Sequence, residues 1–204
     1  YSHQDRLQPK SYPEMVGKAL VLEGEPFITM VDDDDPWLEG LFLVVVFGLL
    51  IGTAKFVGGL LLTVSLPPSD AMLESLAFAW RQIADPLTLG AAGETLEDYL
   101  RQQWNLAAWV TGYGGGWARL LVFITAPTLF IAQWLLYGLI GHGIARLMGG
   151  RASLNQTLGA TALLVAPQIF LLFEIVPFAS VSGVMIGVWS LLIAYRALQI
   201  AHEL

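Results

Sequence analysis

The chain has 204 residues, 55% of them hydrophobic and only 13% charged, where a soluble domain carries roughly 25% charge. Ten basic against seventeen acidic residues leave a net charge of −7, which gives nucleic-acid binding no electrostatic footing. The lack of any cysteine excludes disulfides, thiolate metal sites, iron–sulfur clusters and c-type haem attachment, and leaves the redox compartment open.

The charges are unevenly placed. Residues 40–54, 120–145, 152–173 and 175–195 contain no Asp, Glu, Lys or Arg. Runs of about 20 apolar residues suit a helix crossing a hydrocarbon core ~30 Å thick. The chain therefore reads as all-α, a polytopic transmembrane helical bundle with four spans, near 38–66, 117–148, 154–173 and 178–200.

Residues 1–37 form a polar lead-in with three basic and eight acidic residues, too long to precede the apolar core of a secretory signal. Pro13 opens a short predicted helix to Leu22, with Met15, Ala19 and Leu22 on one side. Asp32–Asp35 lack the spacing and closing Glu of an EF-hand, so a solvated acidic face is expected. Trp37 suits the membrane interface. In the first span Lys55 lies near enough to the far end to snorkel, and Pro67-Pro68 stops the helix.

The extramembrane segment 67–116 holds two predicted helices, expected on the membrane surface or on the outer ends of the spans. Leu73, Leu76, Ala77, Trp80 and Ala84 share one arc of the first. Thr95 with Asp98 gives the second a capping-box-like start, leading to Tyr99, Leu100 and Trp104. Gly112–Gly116 lacks the Lys-Ser/Thr of a phosphate loop and reads as a hinge. Among the last three spans, Arg146 and Arg151 flank the first tight turn, while the turn at Glu174–Pro177 has no basic residue. The positive-inside rule then puts the Arg-bearing turn and the N-terminus in the cytoplasm.

Small residues are the clearest pattern. Ala179, Gly183, Gly187, Ser190, Ala194, Ala197 and Ala201 fall within about 80° of one helix face, including a small-xxx-small pair that lets backbones approach. Gly48 and Gly52 repeat the device in the first span, Gly138 and Gly141 in the second, and Gly159 in the third. These positions serve helix packing within the bundle or docking of a partner. Pro127 and Pro167 invite kinks, with Thr125, Thr128 and Gln168 placed to satisfy the freed carbonyls.

His142 is the only histidine inside a predicted span. It suits a hydrogen bond near Arg146 or, as a rarer use, the magnesium of a chlorophyll-type pigment. Haem would need a second axial ligand, and His202 is expected far away on another helix end. Ser182-Gly183 lacks the glycine-rich turn of a serine nucleophile. Glu174 is expected exposed at the interface, with a proton relay as the sharper alternative.

The run Leu139-Ile140-Gly141-His142-Gly143-Ile144-Ala145-Arg146-Leu147-Met148-Gly149-Gly150-Arg151-Ala152-Ser153-Leu154-Asn155-Gln156-Thr157, then Ala166-Pro167, Ile175-Val176-Pro177 and Trp189, resembles bacterial members of the Yip family. That family is named for membrane proteins that interact with Ypt/Rab GTPases. The match covers about 119–204, with 41–66 fitting the family's first span, so that 38–204 reads as a Yip-like transmembrane domain. Five spans are typical there, four are visible here, and the first residue is not Met. Leu204 is therefore expected not to be the natural C-terminus. The resemblance implies no catalytic site. It implies a scaffold or accessory subunit in the cell membrane whose partners are lipid and other integral membrane proteins, alone or within a large complex, with no cofactor. Two alternatives stay open: a pigment- or cofactor-holding subunit of an energy-converting complex, using His142, and a transporter with a path lined by Gln168, Asn155 or Glu174.

Overall fold

The computed structural model describes residues 12–84, 86, 90–111, 113 and 117–204. Among them there are helices and no strands: α1 (Tyr12–Leu20), α2 (Glu25–Val31), α3 (Pro36–Ser65), α4 (Ser69–Ala84), α5 (Gly90–Thr111), α6 (Val122–Leu147), α7 (Leu154–Thr161) and α8 (Gly183–His202). A 3₁₀ turn at Trp117–Leu121 leads into α6, and a longer 3₁₀ stretch, Ala162–Ile175, continues α7. The expected hinge at 112–116 lies, Tyr113 apart, outside the described residues.

Among the described residues, four helical segments are long and apolar enough to cross a membrane: Pro36–Ser65, Ala118–Leu147, Leu154–Ile175 and Gly183–His202. These are the four expected spans, with two corrections. The third is α-helical only to Thr161. Pro167 lacks an N–H and its ring crowds the preceding turn, so the chain tightens into 3₁₀ geometry over 14 residues, where runs beyond 3–4 are uncommon. The fourth starts at Gly183 rather than 178, after Phe178 takes a left-handed φ of 66° and Ser182 caps the helix through Met185 N–H.

The chain divides into two compact units. One comprises Tyr1–Thr53, Phe123–Phe173 and Ser180–Leu204. Its core joins Val44, Trp134, Leu163, Leu164 and Ile193 to Phe27 and Met30 of the polar lead-in. From Tyr12 onward the described part of the lead-in thus packs into this core, although its charges gave it the look of a separate segment. Leu22, at φ 62°, turns α1 into α2, and Lys18, paired with Glu14 one turn back at 2.9 Å, bridges the corner to Glu25 at 2.7 Å. Trp189 Nε1 donates to the Leu20 carbonyl at 3.0 Å. Pro36 suits the first turn of α3, where an N–H would be orphaned; the Trp37 N–H donates instead to Asn155 Oδ1 at 3.1 Å.

The second unit comprises Ala54–Val122 and Glu174–Ala179. Here Lys55 meets Glu174 at 3.4 Å. Glu174 is therefore ion-paired rather than simply exposed at the interface. Helices α4 and α5 form a hairpin. The latter begins at Gly90, five residues before the expected cap at Thr95, because Ala91 and Ala92 favour helix. Trp80 Nε1 donates to the Gly93 carbonyl at 3.2 Å and Trp104 Nε1 to Ser69 Oγ at 3.0 Å.

Candidate functional site

The residues with most chemistry meet where the turn between α6 and α7 faces the end of α8. Helix α6 ends in a Schellman arrangement: Gly149 adopts φ +97°, its N–H bonds to the Arg146 carbonyl at 3.1 Å, and the Gly150 N–H to the Ala145 carbonyl at 2.9 Å. A side chain at Gly149 would be strained in that conformation. Arg146 Nη1 donates to the Gly150 carbonyl at 3.2 Å and holds the turn shut. Ser153 then opens α7 with a capping box: its hydroxyl accepts from Gln156 N–H, and the Gln156 side chain accepts from Ser153 N–H.

One turn into α7, Thr157 Oγ1 donates to the Ser153 carbonyl at 2.9 Å. It also lies 2.9 Å from His142 Nδ1 and 2.9 Å from His202 Nε2. A hydroxyl has one hydrogen to give and two lone pairs. With that hydrogen on Ser153, both rings must donate, which assigns His142 as the Nδ1–H tautomer and His202 as Nε2–H. His202 is fully buried, and its Nδ1 has no partner. The two rings tilt at 51° with centroids 5.2 Å apart.

The expectation that His202 stands far from His142 is therefore corrected. Helix α6 lies directly against α8, with Gly141 on Leu198 and the turn's Gly150 on His202, so the two run in the same direction and their C-terminal ends meet. Thr157 and Gly150 were missed as site residues. The signal was present in the topology, since alternate spans of a bundle share an end.

Around this node the predicted packing glycines make close approaches. A β-carbon on Gly138 would come 2.7 Å from Leu158 Cδ2, on Gly141 2.5 Å from Leu198 Cδ1, on Gly159 2.5 Å from Pro36 Cβ, and on Gly48 2.5 Å from Pro127 Cα. Gly52 is buried. Thr128 Oγ1 donates to the Ile124 carbonyl at 2.7 Å, next to Pro127 inside α6. In α8 the small-residue stripe divides. Ser190, Ala194, Ala197 and Ala201 are buried, with Ser190 Oγ unpartnered, whereas a β-carbon on Gly183 or Gly187 would meet nothing within 4 Å. Packing within the chain does not account for those two glycines: they precede the segment of α8 that enters the core.

Chemically, the node is a hydrogen-bonded lock. No group of three or more His, Asp or Glu side chains able to hold a metal occurs among the described residues. The side chains once set against a transport path have structural positions: Asn155 caps α3, Glu174 pairs with Lys55, and Gln168 is buried.

The glycine-rich turn, the capping box and the proline-bearing third span are the punctuation that marked the family resemblance. The Yip1 domain model matches residues 23–204. No curated protein and no solved structure matches the chain significantly. The match begins in the lead-in, just before α2, and runs through all four spans and the His142–Thr157–His202 node. The chain is a multi-pass membrane protein that belongs to the Yip1 domain family.

Proposed function

We propose that the protein is a non-enzymatic scaffold or accessory subunit of the cell membrane that binds other integral membrane proteins. The observation that carries this reading is the open half of the α8 stripe. Gly183 and Gly187 have free space above them, and Val184, Met185 and Val188 beside them are exposed. Lipid gives helices no hydrophobic push toward one another, so association depends on close backbone approach. The family membership supports a membrane role without catalysis. The test is purification of the full chain in mild detergent, with mass identification of what accompanies it. Gly187→Leu should shed the accompanying membrane protein while the chain itself stays folded. Retention of the same companions by Gly183→Leu and Gly187→Leu would remove this face as the docking surface.

Arg146 and Arg151 support a cytoplasmic position for the α6–α7 turn and for the N-terminus. Met148→Cys, on an exposed position of a chain without native cysteine, should react with a membrane-impermeant maleimide only after cells are opened. Labelling of intact cells would invert the topology.

A further inference from the structure

We propose that the α4–α5 hairpin is a lipid-docking element, whose apolar trough is filled by phospholipid acyl chains at the end of the first span. The trough has two connected parts. A groove of about 470 Å³ runs between the helices, walled by Leu73, Leu76, Ile83, Leu100 and Trp104. At Trp104 and Ala107 it passes into a second groove of about 320 Å³, which reaches Gly59, Leu62 and Leu66 on the last turns of α3. The second groove thus extends the first along the lipid-spanning helix itself.

Two features select lipid over water or a soluble protein. The hairpin is tied to the span end by Tyr113, whose Oη donates to the carbonyl of Pro67, just past the end of α3. It cannot swing away from that end without breaking this bond. Second, most polar side chains of the walls are already engaged. The indole N–H groups of Trp80 and Trp104 are bonded inside the hairpin, Arg119 bonds to Thr63 at 2.6 Å, and Glu97 is held by Arg81 and Arg101. What remains facing the trough is, the exposed Gln103 apart, hydrocarbon and ring surface. On α5, exposed Leu96, Tyr99, Leu100 and Leu106 share one sector, while Glu94, Asp98, Gln102 and Asn105, with exposed Trp109 among them, lie on the opposite arc at 100° per residue. This is the pattern of an interfacial helix with an indole on its polar side.

The full chain is reconstituted into phosphatidylcholine–phosphatidylglycerol vesicles doped with phosphatidylcholine spin-labelled near the headgroup. An environment-sensitive fluorophore is attached at Leu76→Cys or Leu100→Cys in the trough, and at Glu74→Cys or Asn105→Cys on the polar arcs. Tyr99→Cys, on the exposed stripe, reports the same face if labelling inside the trough disturbs the hairpin. The trough labels and Tyr99→Cys should be quenched several-fold more by the lipid spin label than the polar-arc labels, and should resist aqueous iodide. Equal lipid quenching on both faces, or stronger iodide quenching in the trough, would overturn the proposal. So would trough labels shielded from both quenchers that cross-link to a second copy or another protein.

Discussion

His202 packs so tightly over Gly150 that a β-carbon there would collide with its Nδ1, and would also stand 2.8 Å from the Ala145 carbonyl. Neither obstacle can step aside: the ring is fully buried and tied to Thr157, and the carbonyl accepts the turn's own hydrogen bond. Gly150→Ala should therefore destabilise the protein by about 1–3 kcal/mol through overpacking. Gly143→Ala, with nothing within 4 Å, should be neutral or stabilising by up to ~1 kcal/mol, since Ala is the better helix former. Thermal unfolding followed by circular dichroism in detergent distinguishes them. Equal midpoints would mean that His202 yields more easily than its packing indicates.

The same contrast separates the glycines of the spans. Gly159 lies against the backbone of Pro36, whose carbonyl oxygen would stand 2.8 Å from an added β-carbon. Gly159→Ala must push α7 off the start of α3, at a cost of about 1–3 kcal/mol. Gly183→Ala and Gly187→Ala should leave the isolated protein unchanged within about 1 kcal/mol. A Gly187→Ala variant as damaged as Gly159→Ala would show that its open face is filled in the folded chain.

Much of this architecture was legible because it follows from local rules. Charge-free runs located the spans, Pro67-Pro68 ended the first, and a helical arc of Leu73, Leu76 and Trp80 marked α4. The opaque parts depend on tertiary contacts. Helix α2 has only seven residues beside an acidic run, and its Phe27 and Met30 are buried because α7 and α8 offer them a surface. The 3₁₀ stretch after Thr161 follows from Pro167 combined with close packing, since a β-carbon on Gly40 would come 2.9 Å from Ala162 Cβ. The His142–Thr157–His202 node joins residues 45 positions apart, and only the ordering of spans brings them together. The expected small-residue stripe of the fourth span divides: Ala179 precedes α8, Gly183 and Gly187 pack on nothing in the chain, and only Ser190, Ala194, Ala197 and Ala201 enter the core, a division that periodicity alone does not carry.

Thr157 makes a separate test of that node. Thr157→Val keeps the shape of the side chain and removes the hydroxyl, leaving the buried His202 Nε2–H without an acceptor. An unsatisfied buried donor costs about 1–3 kcal/mol, so this variant should unfold at lower temperature. Thr157→Ser retains the hydroxyl and should recover most of the loss. Nitrogen chemical shifts of the imidazoles should report His142 as Nδ1–H and His202 as Nε2–H in the parent protein. The opposite tautomer on either ring would mean that the Thr157 hydrogen points elsewhere than Ser153.

In the hairpin, Glu97 should set an acid limit. Arg81 donates to both of its oxygens, at 2.9 and 2.8 Å, and Arg101 to Oε1 at 3.2 and 2.9 Å. These hydrogen bonds, those of Arg81 foremost, pull the carboxyl down to about 2 from its usual 4.5. A carboxylate with a folded pKa below its unfolded one adds stability that is fully present above the unfolded value and is lost as pH falls through the folded one. The α4–α5 hairpin should therefore stay closed at neutral pH, loosen below about 4.5 and lose this contribution near 2. High salt should weaken the effect, because the cluster lies at the surface. Spin labels at Glu74→Cys and Asn105→Cys would read the separation of the two helices. The distance distribution should broaden over that pH window in the parent chain, whereas Glu97→Gln, which has no charge to lose, should show no transition there. A parent distribution unchanged down to pH 2 would assign the closure of the hairpin to its other contacts, and an identical transition in Glu97→Gln would assign the acid limit to another carboxylate.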